Sequence, residues 1–119
     1  MTKCFICESV LSIEKLSCTS CNTSYQGTFL FSRLSRLTKE EQHLTESLII
    51  HGGNLKEMAE ELNLSYPTLK KRLKDLTHSL EKNKEEDENK IEEILFNIEA
   101  KKMSAEEGIK LIREINGEL

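Results

Sequence analysis

All four cysteines fall within the first 21 residues, as Cys4-Phe5-Ile6-Cys7 and Cys18-Thr19-Ser20-Cys21, and no other feature narrows the possible folds as much. A two-residue gap lets both thiolates of a pair approach one ion at about 2.3 Å while amides of the turn donate to sulfur. Two such pairs complete a tetrahedron. The ten residues between the pairs (8–17) suffice for one hairpin. Val10 to Leu16 alternates in part, and Thr23 to Ser32 carries Tyr25, Phe29 and Phe31 around Gly27, so both stretches read as short strands. Residues 1–33 are therefore expected to form a zinc ribbon. Cys4, Cys7, Cys18 and Cys21 would hold one structural zinc ion (Zn2+), replacing the core that so short a segment lacks.

The same pairs occur in thiol–disulfide enzymes and in rubredoxin-like iron centres. A redox pair, however, normally opens a helix in a βαβ setting, and neither pair here is followed by a helical pattern. A catalytic zinc needs a vacant position, which four cysteines do not leave. His43, His51 and His78 lie outside the cluster and read as ordinary surface or helix residues.

With 119 residues, 37% of them hydrophobic and none of them Trp, the chain is short of material for one large core with a deep cleft. Small modules are expected instead. Its net charge of −4 is unevenly spread: residues 1–80 hold 10 basic and 9 acidic side chains, residues 81–119 hold 7 and 12. A polyanion site belongs in the first two-thirds, and the tail should repel it. No segment approaches the roughly 18 to 20 apolar residues that span a bilayer, and the start lacks the apolar stretch of a signal peptide. The expectation is a cytoplasmic protein without a membrane partner, where paired cysteines bind metal in preference to forming disulfides.

From Thr38 on, helix-start signals recur. Thr38 with Glu41 forms a capping box for a helix carrying Leu44, Leu48 and Ile49 on one face and ending at His51-Gly52-Gly53. Asn54 with Glu57 opens a short second helix burying Leu55, Met58, Ala59 and Leu62. After Asn63-Leu64-Ser65, with Ser65 as N-cap and Pro67 tolerated in the first turn, a third helix carries Leu69, Leu73, Leu76 and Leu80 in one stripe. Residues 34–80 thus match a three-helix helix-turn-helix domain whose last helix enters the DNA major groove. One departure is Arg72, which stands where an apolar residue usually recurs, with Leu73 following it.

Opposite the leucine stripe lie Pro67, Thr68, Lys71, Lys74, Asp75 and His78, flanked by Lys70 and Arg72. Thr68 and Lys71 are placed to reach base edges, while Lys70, Arg72 and Lys74 suit phosphates. The plainer alternative is a structural bundle with a solvated basic face. Tyr66 reads either as a partly buried anchor or as a base-stacking ring. No hairpin pattern follows Leu80, which argues against a winged variant.

Residues 81–90 hold no apolar side chain and read as a charged linker or a helix extension. Beyond them Ile91, Ile94, Leu95 and Ile98 form one stripe, and the Ser104/Glu107 capping box opens another through Ile109, Leu111, Ile112 and Ile115. A hairpin this short is marginal alone. Residues 91–119 would be covered by the same hairpin of a second chain, by the helix-turn-helix or by another protein. Self-association is favoured, since a homodimer presents two recognition helices to two half-sites.

The run Gly53-Asn54-Leu55-Lys56-Glu57, then Leu64-Ser65-Tyr66-Pro67-Thr68 and Lys71-Arg72-Leu73, downstream of two CxxC pairs, resembles a family of short, uncharacterised bacterial proteins. These are described as a zinc ribbon plus a helix-turn-helix and taken to be transcriptional regulators. The likeness covers residues 4–80. It implies that the four cysteines are the metal ligands and that Asn54, Ser65 and Thr68 sit where such modules cap helices and approach DNA. Asn63 replaces the usual glycine of the turn, and it too tolerates a left-handed backbone.

The expected fold is mainly α with a small β zinc ribbon, followed by the helix-turn-helix domain and a C-terminal helical hairpin. The expected function is a transcriptional regulator that binds double-stranded DNA. The alternative is an adaptor that binds the transcription machinery through ribbon and hairpin. No catalytic activity is expected, because no nucleophile, base and orienting group come together in the sequence.

Overall fold

Turn chemistry and hydrophobic period set out above recur in the computed structural model, which describes residues 1–118. The described elements are β1 (Ser12–Ser17), β2 (Ser24–Leu30), α1 (Lys39–Ile50), α2 (Leu55–Leu62), α3 (Tyr66–Glu99) and α4 (Ala105–Ile115). The fold is mainly helical with a two-stranded antiparallel sheet near the N-terminus. It divides into two compact units, Arg33–Glu85 and Met1–Ser32 with the chain from Glu86 on.

In the first unit α1 begins at the expected capping box. The Thr38 hydroxyl accepts from the Glu41 amide at 3.2 Å, and the Thr38 amide donates to the Glu41 carboxylate at 3.1 Å. It ends where Gly52 (φ +58°) and Gly53 (φ +81°) take the left-handed conformation that glycine adopts without strain. Asn54 caps α2 by accepting from Lys56 and Glu57 amides, and Asn63, at φ +54°, ends it. The second half of this expected capping box is replaced: the Asn54 amide donates to the His51 carbonyl, and the Glu57 carboxylate turns to His51. Met58 and Leu69, both 0% exposed, form the centre of a core with Leu37, Leu44 and Leu76. Leu73 and Leu80 pack against it as the stripe requires. Ile49 departs from expectation at 72% exposed, because on a 3.6-residue helix Leu44 is followed on the buried face by Ser47 and Leu48.

Residues 81–90 are helix throughout. They hold no Gly or Pro, and α3 runs unbroken for 34 residues. Nor is the stretch merely solvated: Asn83 is only 8% exposed. Its side-chain amide donates to the Arg33 carbonyl at 3.2 Å, and the Arg36 guanidinium donates to its main-chain carbonyl at 2.9 Å. Polar pairing therefore carries this unit past residue 80.

In the second unit β1 and β2 pair in antiparallel register, with a bulge between Ile13 and Lys15. The hairpin at 91–119, expected to be covered by a second chain, the helix-turn-helix or another protein, shares this unit with the ribbon over its described residues, Leu119 lying outside them. The Leu30 amide donates to the Glu114 carboxylate, and Gln26 to Phe29 of β2 line one groove with Ile109, Lys110 and Arg113 of α4. Neither a two-stranded ribbon nor a short hairpin is stable without cover, and each gains partial cover from the other at the Phe29–Leu30 end of β2. Within the hairpin, Gly108 admits α3 so closely that an added Cβ would lie 2.2 Å from Ile98 Cδ1. Ile94, at 2% exposed, fills the same contact.

Candidate nucleic-acid interface and metal knuckles

Each cysteine pair sits in the same turn. In the first, the Cys4 amide donates to the Ser9 carbonyl at 2.9 Å and the Glu8 amide to the Cys4 carbonyl at 3.0 Å. In the second, the Cys18 amide donates to the Thr23 carbonyl at 2.8 Å and the Asn22 amide to the Cys18 carbonyl at 3.0 Å. The residue after the second cysteine is left-handed in both, Glu8 at φ +61° and Asn22 at φ +60°. A hydroxyl stands two residues after that cysteine in both. The Ser9 hydroxyl, then the Ser9 amide and the Cys4 thiol, hold the Cys7 pKa below its usual value. The Thr23 hydroxyl, 3.0 Å from Cys21 Sγ, then the Thr23 amide and the Cys18 thiol, do the same for Cys21. The Ile6 amide also points at Cys4 Sγ, 3.4 Å away.

These are the features a thiolate needs before it binds a soft cation: a lowered pKa, donors to sulfur and a partner sulfur alongside. Each knuckle therefore fits half of a four-sulfur site. Among the described residues, no three Cys, His, Asp or Glu side chains converge on one point. The single four-cysteine cluster expected from the spacing is thus present as two pairs that are not closed on a common centre. Ser9 and Thr23 were missed in the sequence, although the repeat Cys-x-x-Cys-x-Ser/Thr is visible in it.

The structure distributes the seven expected DNA positions unequally. Asn54 is committed to capping α2. Ser65 caps α3, accepting from the Thr68 amide at 3.3 Å and donating to the Thr68 hydroxyl at 2.8 Å. Lys70 lies 5.5 Å over the ring of half-exposed Tyr66, a cation–π contact between exposed side chains. Arg72 lines a cleft with Glu40, Glu41, Asp75 and Ser79. The unusual arginine thus sits beside the leucine stripe, leaving Leu73 to the core. Thr68, Lys71 and Lys74 remain exposed on one side of α3.

Residues 4–35 match a family model described as the DUF2089 zinc ribbon. Residues 37–83 match one described as a domain of unknown function (DUF2089)-HTH. No curated protein and no solved structure matches the chain. Among the described residues, no helix is long and apolar enough to cross a membrane.

Proposed function

We propose, proceeding from the fact that this chain belongs to the DUF2089 family of a zinc ribbon followed by a helix-turn-helix domain, that it is a DNA-binding transcriptional regulator of the cytoplasm. It acts by binding, without catalysis. The observation that carries this reading is α3 seated on the Met58 and Leu69 core with Thr68, Lys71 and Lys74 on its open side. Phosphate contacts by the lysines would supply salt-dependent affinity, and the start of the helix would meet base edges.

Cys4, Cys7, Cys18 and Cys21 would hold the zinc, supported by the twin turns and the lowered Cys7 and Cys21 thiols. When bound, the ion contributes folding free energy. Leu95, Phe96 and Ile109 leave apolar surface on the hairpin and support pairing with a second copy, which would offer two α3 helices to two half-sites.

Selection from random duplex DNA tests the regulator reading. A recurrent sequence whose binding weakens in Lys71→Ala and Lys74→Ala is expected. Absence of any selected sequence, with binding unchanged in both variants, would overturn it. Metal analysis of purified protein should find one zinc per chain, lost in Cys4→Ser/Cys18→Ser.

The adaptor reading is favoured by Phe5 and Ile6, 86% and 94% exposed at the tip of the first knuckle. A stoichiometric, nuclease-resistant complex with transcription machinery, abolished by Phe5→Ser/Ile6→Ser, would select it.

A further inference from the structure

The helix that carries the DNA-binding reading presents two side chains whose chemistry specifies bases. Thr68 and Lys71 are three residues apart on α3, about 4.5 Å along its axis at 1.5 Å per residue. That is close to one step of about 3.4 Å between successive bases of a strand. Lys74 continues the same face a further turn from the helix start, where a lysine meets phosphate more readily than base.

Thr68 is not a free rotor. Its hydroxyl oxygen accepts from Ser65 Oγ at 2.8 Å, and the same Ser65 oxygen accepts from the Thr68 amide at 3.3 Å. With the oxygen anchored, χ1 is set and the methyl is set with it. The hydroxyl proton is then left to donate outward. A donor beside a fixed methyl complements the major-groove edge of thymine, which shows the O4 acceptor and the C5 methyl; adenine N7 and guanine O6 and N7 also accept, so the methyl contact is what singles out thymine. Lys71 is exposed and has only donors, matching guanine O6 and N7.

Resting on the DNA-binding reading, we infer that Thr68 and Lys71 read a thymine and a guanine in neighbouring base pairs of the target. The lock on Thr68 is the Ser65 hydroxyl. Lys70, drawn over Tyr66, and Arg72, in the cleft with Glu40 and Asp75, take no part in reading.

The test uses the zinc-loaded full chain, with the duplex selected by the wild type titrated by fluorescence anisotropy. Replacing the inferred thymine by deoxyuridine removes only the methyl, and should weaken wild-type binding roughly fourfold, the loss expected for one buried methyl group. Thr68→Ser should bind both duplexes equally, and Thr68→Val, which keeps a methyl but has no donor for O4, should reduce the preference for thymine over cytosine to the part the methyl supplies, while keeping its helical circular dichroism. Lys71→Ala should relax preference at the guanine, whereas Lys74→Ala should weaken all sequences alike and lower the salt slope by about one.

A selected site without adjacent thymine and guanine overturns the inference, as does equal wild-type affinity for the deoxyuridine duplex or discrimination retained in Thr68→Ser. Those outcomes leave DNA binding standing. Wild-type protein that selects nothing, and binds no more tightly than Lys71→Ala/Lys74→Ala, removes the reading on which the inference rests.

Discussion

Replacing Gly108 by Ala pits local propensity against packing, and the two predict opposite signs. In an exposed helix interior the change should stabilise by about 1 kcal/mol, since Ala is the best helix former and Gly among the worst. Gly108 is buried, however, and a Cβ there would lie 2.2 Å from Ile98 Cδ1, 2.7 Å from Ile98 Cγ1 and 3.2 Å from Ile94 Cγ2. Carbon atoms rest at about 3.5 to 4.0 Å, so Ile98 must rotate away or α4 must retreat. Overpacking of this kind costs about 1 to 3 kcal/mol. The net expectation is a loss of about 0 to 2 kcal/mol, confined to the unit that holds the hairpin. Guanidinium unfolding followed by circular dichroism, with amide exchange at Ile94 to Ile98 to localise the loss, measures it. Ile98→Val removes Cδ1 and costs about 0.5 to 1.5 kcal/mol alone. In its presence Gly108→Ala should cost about 1 kcal/mol less than in the wild type. A stabilising Gly108→Ala, or costs that simply add in the double variant, would refute the close approach of α3 and α4.

Zinc removal by a chelator should release amide protection in residues 1–32 and also in α4, since these share one unit, while Lys39–Ile50 and Leu55–Leu62 stay protected. Unchanged exchange in α4 would show that ribbon and hairpin do not fold together. Glu8→Gly should stabilise the first knuckle by about 0.5 to 1 kcal/mol, because Glu8 is held at φ +61° where only glycine is unstrained; a lower midpoint in thermal unfolding of zinc-loaded protein would count against the turn. His51 has its pKa raised, first by the hydrogen bond to Glu61 and with help from Glu57. The pair's stabilisation is therefore fully present below the unfolded value of 6.5 and is lost as pH rises through the higher folded value. Denaturation midpoints of the helix-turn-helix should fall across that window in the wild type and stay flat in His51→Gln.

Caps and stops were readable because each is a local code. Thr38 and Glu41, Gly52-Gly53, Asn54, Asn63 and Ser65 act on backbone groups within a few residues, so their chemistry needs no knowledge of the fold. The leucine stripe of α3 was equally plain, and so was the cysteine spacing. The hidden half of each knuckle was the hydroxyl at Ser9 and Thr23, whose use depends on a turn that folds it back onto sulfur. The site face was narrowed further by contacts that sequence does not contain, such as Lys70 over Tyr66.

Spacing and period thus settled the composition of the parts, a ribbon and three helices around leucines, because each part answers to interactions between near neighbours. How the parts are shared between units was a matter of long-range contact. Asn83 looked like a solvated residue until the carbonyl of Arg33, 50 residues earlier, met its amide. The ribbon was not among the surfaces expected to cover the hairpin, yet Glu114 meets the amide of Leu30, 84 residues before it. Apolar periodicity reports that a face must be buried. What buries it depends on which other surface lies within reach, and only the packed chain brings those surfaces together.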